Sequence, residues 1–139
     1  MIVVDTSALF AVFDEDHPRH GAVRQAFDAE PGPFLLSCFV LAELDYLLAT
    51  RMGVRTELAF LKNVADGEYR LEAFDIDEIA TMRDLIARHE DLELGLTDVS
   101  LVVLAERAST NRILTLDERH FRAVRPLRGR AFTILPANT

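Results

Sequence analysis

Met1-Ile2-Val3-Val4-Asp5-Thr6-Ser7-Ala8-Leu9 compresses a strand, a turn and the start of a helix into nine residues. Ile2, Val3 and Val4 form a short apolar, β-branched run, which suits a strand buried on both faces. Asp5 ends that run, and Thr6-Ser7 can start a helix carrying Leu9, Phe10 and Phe13 at helical spacing. A strand that passes directly into a helix is half of a crossover unit, and parallel neighbours require crossovers. Phe34-Leu35-Leu36-Ser37 running into Val40-Leu41-Ala42-Glu43-Leu44 and Leu47-Leu48 is a second such unit. Between the two, His17-Pro18 opens an amphipathic helix with Ala22, Val23, Ala26 and Phe27 on one face, and Pro31-Gly32-Pro33 punctuates the chain. Beyond Met52-Gly53, Val54 to Ala65 predicts a helix burying Leu58, Leu61 and Val64. Tyr69 to Phe74 alternates as an edge strand should, and Ile76 to His89 is helical by the spacing of Ile79, Met82 and Ile86. Asp98 to Ala108 reads as an almost wholly apolar helix capped by Thr97, with Arg112 to Leu116 and Phe132 to Leu135 as closing strands. Strands alternating with helices give a single-domain α/β fold over residues 1–139, a mainly parallel sheet of about five strands flanked by helices.

With 139 residues, half of them hydrophobic, the chain has enough apolar surface for one core and little room for a second. Its longest apolar runs, such as Val99 to Ala105, stop well short of the ~20 residues of a membrane span. The first residues lack a basic region followed by a long apolar stretch, so a cytoplasmic location is expected. Cys38 is the only cysteine, which excludes an internal disulfide and a multi-cysteine zinc site and leaves packing as its role. The net charge of −8 argues against nucleic-acid binding by the overall field, so any RNA contact must be local. Arg119, Arg122, Arg125, Arg128 and Arg130 gather near the C-terminus; they either follow a phosphate backbone or form a solvated, ion-paired surface.

Acids occupy the strand-to-helix edge. Open α/β sheets bind ligands outside the carboxyl ends of their strands, where strand order reverses. Asp5 follows the first strand and Asp117 follows Ile113-Leu114-Thr115-Leu116. Glu43 lies in the helical row Val40, Glu43, Leu47, and Asp98 in the row Leu101, Val102, Ala105, so both interrupt apolar stripes near helix N-termini. Singly, each acid is as well explained by a turn or by the helix dipole. Together, four carboxylates at one edge repel one another unless cations intervene, and hard oxygen ligands select Mg²⁺ or Mn²⁺. Such a site suits in-line hydrolysis of a phosphodiester.

Four stretches, Val4-Asp5-Thr6-Ser7-Ala8-Leu9, Leu41-Ala42-Glu43-Leu44, Leu96-Thr97-Asp98-Val99-Ser100-Leu101 and Ile113-Leu114-Thr115-Leu116-Asp117, resemble in order and separation the signature of PIN domains. The similarity is greatest to VapC toxins of bacterial toxin–antitoxin pairs and includes the segment Asp117-Glu118-Arg119-His120-Phe121-Arg122. This resemblance implies a five-stranded parallel sheet, a homodimer, metal-dependent endonucleolytic RNA cleavage and neutralisation by a cognate VapB-type antitoxin. It also implies that Asp5 and Asp98 hold the metal most directly. Glu43 and Asp117 then bind through water, bind a second metal or orient the attacking water. Thr6, Ser7 and Thr115 match polar neighbours that hold the acids in place or merely cap and pack. Arg119, Arg122 and Arg125 are the candidate RNA contacts. His17, His20, His89 and His120 lack the spacing of a paired metal motif and read as surface or packing residues. Phe10, Phe13 and Phe39 read as core or dimer-interface residues, and Asp14-Glu15-Asp16 as a solvated loop.

Three other readings compete. A receiver-like signalling domain needs a lysine near the end of its last strand, and the sole lysine, Lys62, falls within a predicted helix. An aspartyl-nucleophile phosphatase needs a second aspartate two residues after the first, where Ser7 stands. A catalytically silent PIN domain that binds protein or RNA would not need all four acids.

Overall fold

The computed structural model describes residues 1–127, 129 and 131–138; Arg128 and Arg130 of the C-terminal arginine cluster lie outside the described residues. The order of elements is β1 (Ile2–Val4), α1 (Thr6–Phe13), α2 (His20–Ala29), β2 (Phe34–Ser37), α3 (Cys38–Arg51), α4 (Val54–Ala65), β3 (Arg70–Glu72), α5 (Ile76–Arg88), a short 3₁₀ turn (Glu90–Leu92), α6 (Leu96–Ala108), β4 (Arg112–Leu114), α7 (Glu118–Ala123) and β5 (Thr133–Leu135). Five strands pair in parallel in the order β3-β2-β1-β4-β5, as the alternation of strands and helices requires. β1 is central. Val3 pairs with Leu35 on one side and Ile113 on the other. All three β1 residues are buried, so helices cover both faces of the sheet. The chain moves outward from β1 through β2 to β3 and then returns to β1's other side with β4, so strand order reverses between β1 and β4. Asp5 and the residues after Leu114 emerge at that reversal, and the Asp5 backbone N–H donates to Leu114 O at 2.9 Å.

α6 packs against β1, β2, α3 and α5, and every residue from Val99 to Ala105 is buried, which is why its sequence is apolar nearly all round. An aromatic cluster closes the opposite end of the core. Phe60 meets Phe13 and Tyr69 edge-on at 5.7 and 5.9 Å, and Phe27 stacks on Phe34 at 4.4 Å.

Several expected details shift. α2 begins at His20 instead of His17-Pro18, because Asp14 and His17 tie residues 14–20 into turns: Asp16 N–H donates to Asp14 Oδ1 and Arg19 N–H to His17 Nδ1. Ala22 is exposed; Val23 and Ala26 carry that helix's burial. α4 buries Phe60 and leaves Leu58 exposed, since this helix rests mainly on α3 and presents only a narrow face. α5 buries Met82 and Leu85, while Ile79 faces outward. α6 starts at Leu96, and Thr97 is not its cap: the Asp98 carboxylate reaches back to accept from Gly95 N–H at 3.1 Å. Phe39 stacks on Phe74 at 5.4 Å and, like Phe13, packs on the core as expected.

Candidate active site

Asp5 is the N-cap of α1, so its position follows from the way β1 ends and α1 begins. It is 4% exposed. Its Oδ1 accepts from Thr6 N–H at 2.8 Å, and its Oδ2 accepts from Thr115 Oγ1 at 2.7 Å and Ser7 Oγ at 3.1 Å. The two hydroxyls in turn accept from the chain after β4: Leu116 N–H donates to Ser7 Oγ at 3.0 Å, and Asp117 N–H to Thr115 Oγ1 at 2.9 Å. Each hydroxyl has one proton, and both protons point at Asp5. This donor set fits an ionised carboxylate, yet burial outweighs it and pushes the Asp5 carboxyl up to about 6, with the nearby Asp98 charge adding to the rise. Ser7 and Thr115 therefore tie β1, α1 and the loop after β4 to one acid. Thr6 contributes only its backbone N–H; its buried hydroxyl has no hydrogen-bond partner.

Asp98 lies in the first turn of α6 and is partly buried. Burial raises its pKa; the Gly95 N–H and His120 oppose the rise, and Asp117 and Glu43 add to it. The four acids therefore form one electrostatic unit: Asp98 feels Glu43 and Asp117, and Asp5 feels Asp98.

Glu43 corrects the stripe expected for α3. The buried row is Val40, Leu44, Leu48, and Glu43 lies one position off it, exposed and lining the cleft with Leu47 and Arg51. The cleft has a volume of ≈ 440 Å³ and brings together Asp5, Glu43, Asp98 and Asp117.

His120 packs beside the acids, a placement its reading as a surface or packing residue did not include. Three residues after Asp117, it shares a face of α7 with that acid. Its Nδ1 lies 2.7 Å from Asp117 Oδ2, without the alignment of a hydrogen bond, and 3.9 Å from Asp98 Oδ2, beyond hydrogen-bond reach. One donor atom each from Asp98, Asp117 and His120 fall within 4.8 Å of one another, a separation one cation can span. The i, i+3 spacing was the available signal.

Two serines carry no signal in the sequence yet matter to the site. Ser100 Oγ donates to Thr97 O at 2.6 Å, which leaves it to accept from Ser37 Oγ at 2.8 Å, while Ser37 caps α3 by accepting from Phe39 N–H. This buried chain fixes the start of the Glu43 helix against the first turn of the Asp98 helix. The described C-terminal arginines lie elsewhere. Arg119, Arg122 and Arg125 are exposed, none lines the cleft, and Arg122 pairs with Glu118 at 3.5 Å.

The family model described as "PIN domain" matches residues 2–126. Ribonuclease VapC26 of Mycobacterium tuberculosis is 44% identical over 135 residues, which cover 97% of this chain and 100% of that protein. The chain is a PIN domain of the VapC group. This PIN domain superposes on the crystal structure of Mycobacterium tuberculosis VapC20, described as a sarcin-ricin loop cleaving toxin, with a TM-score of 0.82 at 23% identity over 88% of this chain and 95% of that one. Neisseria gonorrhoeae FitAcB aligns with a TM-score of 0.67 at 17% identity, over 87% and 91%. At those identities the two solved structures establish the PIN fold alone. No helix among the described residues of the PIN domain is long and apolar enough to cross a membrane.

Proposed function

We propose that this PIN domain is a VapC-type toxin, a divalent-cation-dependent endoribonuclease that hydrolyses phosphodiester bonds in cellular RNA. The observation that carries this reading is Asp5: a buried carboxylate, oriented by three donors at the point where strand order reverses, with three more acids around the same cleft. Asp5, Glu43, Asp98 and Asp117 form the catalytic and metal-binding set. The donors are carboxylate oxygens with one imidazole nitrogen beside them, which fits Mg²⁺ or Mn²⁺. When bound, the cation supplies charge stabilisation at the phosphoryl group and acidifies the attacking water. Asp5 and Asp98 would hold the cation most directly, with Asp117 and His120 near enough to Asp98 to share it. Glu43 and Asp117 would bind it through water or orient the attacking water, and Glu43, exposed beside the cleft, would carry the water's proton to solvent. Ser7 and Thr115 fix the Asp5 carboxylate, and the Thr6 N–H completes its donors.

The domain extends over residues 1–139, because β5 pairs with β4 beyond the residues the family model matches. The protein acts in the cytoplasm as a homodimer, for which exposed apolar side chains such as Ile76 on α5 offer surface, and a cognate VapB-type antitoxin neutralises it. Arg119, Arg122 and Arg125 reach RNA only outside the cleft. The test is digestion of total cellular RNA with Mg²⁺ or Mn²⁺, with new ends mapped by sequencing. Discrete ends that disappear with chelator and in Asp98→Asn are expected. Their absence from folded, cation-binding protein would leave a silent binding module in place of a nuclease.

A further inference from the structure

Resting on the ribonuclease reading, we propose that Arg19 and Arg51 form the wall of the cleft that grips the RNA strand, taking phosphates next to the scissile one. Both line the same cleft as the four acids. Glu43, Leu47 and Arg51 follow one another at i, i+4 and i+8 on α3, so Arg51 stands about 12 Å along the helix from Glu43. In this assignment its guanidinium takes a phosphate next to the one held at the acids. The Arg51 guanidinium lies 5.7 Å from the centre of the Phe10 ring, and Phe10 also lines the cleft. This contact holds the planar group against the wall while its N–H donors remain available. Phe10 is thus a cleft residue as well as a core one. Arg19 closes the turn between α1 and α2, and that turn is set by the Arg19 N–H donating to His17 Nδ1 at 3.0 Å.

Pairing and position together single these two out: Arg55, Arg88, Arg119 and Arg125 also lack a carboxylate partner among the described residues, but only Arg19 and Arg51 line the cleft. Arg24, Arg70, Arg83, Arg107, Arg112 and Arg122 each face a carboxylate, whereas among the described residues neither the Arg19 nor the Arg51 guanidinium takes part in an ion pair or hydrogen bond. Unpaired cations beside four carboxylates, in a chain of net charge −8, leave a place for an anion that arrives with the substrate. An RNA strand brings such anions by its covalent repeat: once the scissile phosphate is at the acids, the next phosphates lie along the wall.

The experiment is binding of a labelled single-stranded RNA oligonucleotide, followed by fluorescence anisotropy over a range of salt. Two parents with cleavage suppressed are used, Asp98→Asn with Mg²⁺ and the wild-type chain with Ca²⁺. Arg19→Ala and Arg51→Ala should each weaken binding several-fold and lower the slope of log K against log salt by about 0.7, the change expected when one fewer phosphate of a single strand is neutralised. Arg51→Lys should restore the slope while leaving affinity below the parent's, since lysine keeps the charge and lacks the fork. Arg88→Ala, an exposed arginine on α5 outside the cleft, should change neither. If both parents bind RNA and the two alanine variants bind it equally well with unchanged slopes, the wall assignment is wrong and the ribonuclease reading stands. If neither parent binds RNA, both are overturned.

Discussion

Protonating Asp5 should stabilise the metal-free protein. Burial raises this carboxyl from 3.8 to about 6 in the fold, so the folded chain holds the proton more tightly than the unfolded one. The resulting stabilisation is present in full below about 3.8 and is lost as pH rises through about 6. Over the whole interval it amounts to about 3 kcal/mol at most, and moving from pH 7.5 to pH 5 recovers about 1.4 kcal/mol of it. Asp98, also raised by burial, acts in the same direction. Glu30 is lowered by its Arg112 and Gly32 contacts, so its contribution is present above its ordinary 4.5 and lost below. Measuring at pH 5 and above keeps the two effects apart. The assay is urea unfolding followed by far-ultraviolet circular dichroism in chelator, for the wild-type chain and Asp5→Asn. The asparagine keeps the Thr6 N–H acceptor, and the Ser7 and Thr115 hydroxyls, 3.3 Å apart, can turn to each other. The wild-type midpoint should rise from pH 7.5 to pH 5, and most of that rise should vanish in the variant. Saturating Mg²⁺, which binds the deprotonated acid, should stabilise the protein more at pH 7.5 than at pH 5. A wild-type midpoint that is flat or falls over this range, or a variant that keeps the full rise, would refute the electrostatic account of Asp5.

Thr115→Val removes a donor to Asp5 and an acceptor for the Asp117 N–H; it should cost about 1–3 kcal/mol in urea unfolding, and Thr115→Ser should recover most of it. Asp98→Asn should keep the fold, because the amide oxygen can still accept from Gly95 N–H, while cleavage falls to the chelator background. His120→Ala should weaken Mn²⁺ binding about tenfold in calorimetric titration and Mg²⁺ binding much less, since imidazole suits the first ion better. Arg112→Ala strands the buried Glu30 carboxylate, which now holds Arg112 Nη2 at 2.6 Å; because Arg112 is itself partly exposed, a loss of about 3 kcal/mol is expected in the same unfolding assay.

The sheet was legible because local signals and burial agreed. The β-branched run Ile2–Val4 had to be buried on both faces, the helices between strands forced parallel pairing, and the apolar α6 could lie only within the core. The acids after β1 and β4 were legible for the same reason: a parallel sheet with a reversal of strand order exposes the ends of those strands together. Details that depend on packing between distant elements were not. The Glu43 row is displaced by one position because α3 meets its neighbours through Val40, Leu44 and Leu48, which spacing alone does not distinguish from the adjacent row. Thr97 offers a capping hydroxyl, yet the longer Asp98 side chain reaches Gly95 and takes that role. Arg19 and Arg51 are 32 positions apart and meet the acids only because α1, α2 and α3 pack together, whereas Arg119, Arg122 and Arg125, closer together in sequence, are exposed and off the cleft. The Ser37–Ser100 bond spans 63 positions and has no local signature.

The central claim is that water, activated at the four-acid cleft, attacks the phosphorus of an RNA phosphodiester and expels the 3′ oxygen. Its most direct test is the chemistry of the ends left on a defined RNA cut by purified protein with Mg²⁺ or Mn²⁺. The expected products carry a 5′-phosphate and a 3′-hydroxyl, and they are absent with chelator and with Asp98→Asn. Products ending in a 2′,3′-cyclic phosphate, or cleavage that survives chelation or Asp98→Asn, would contradict the account, because the nucleophile would then not be water held by these acids.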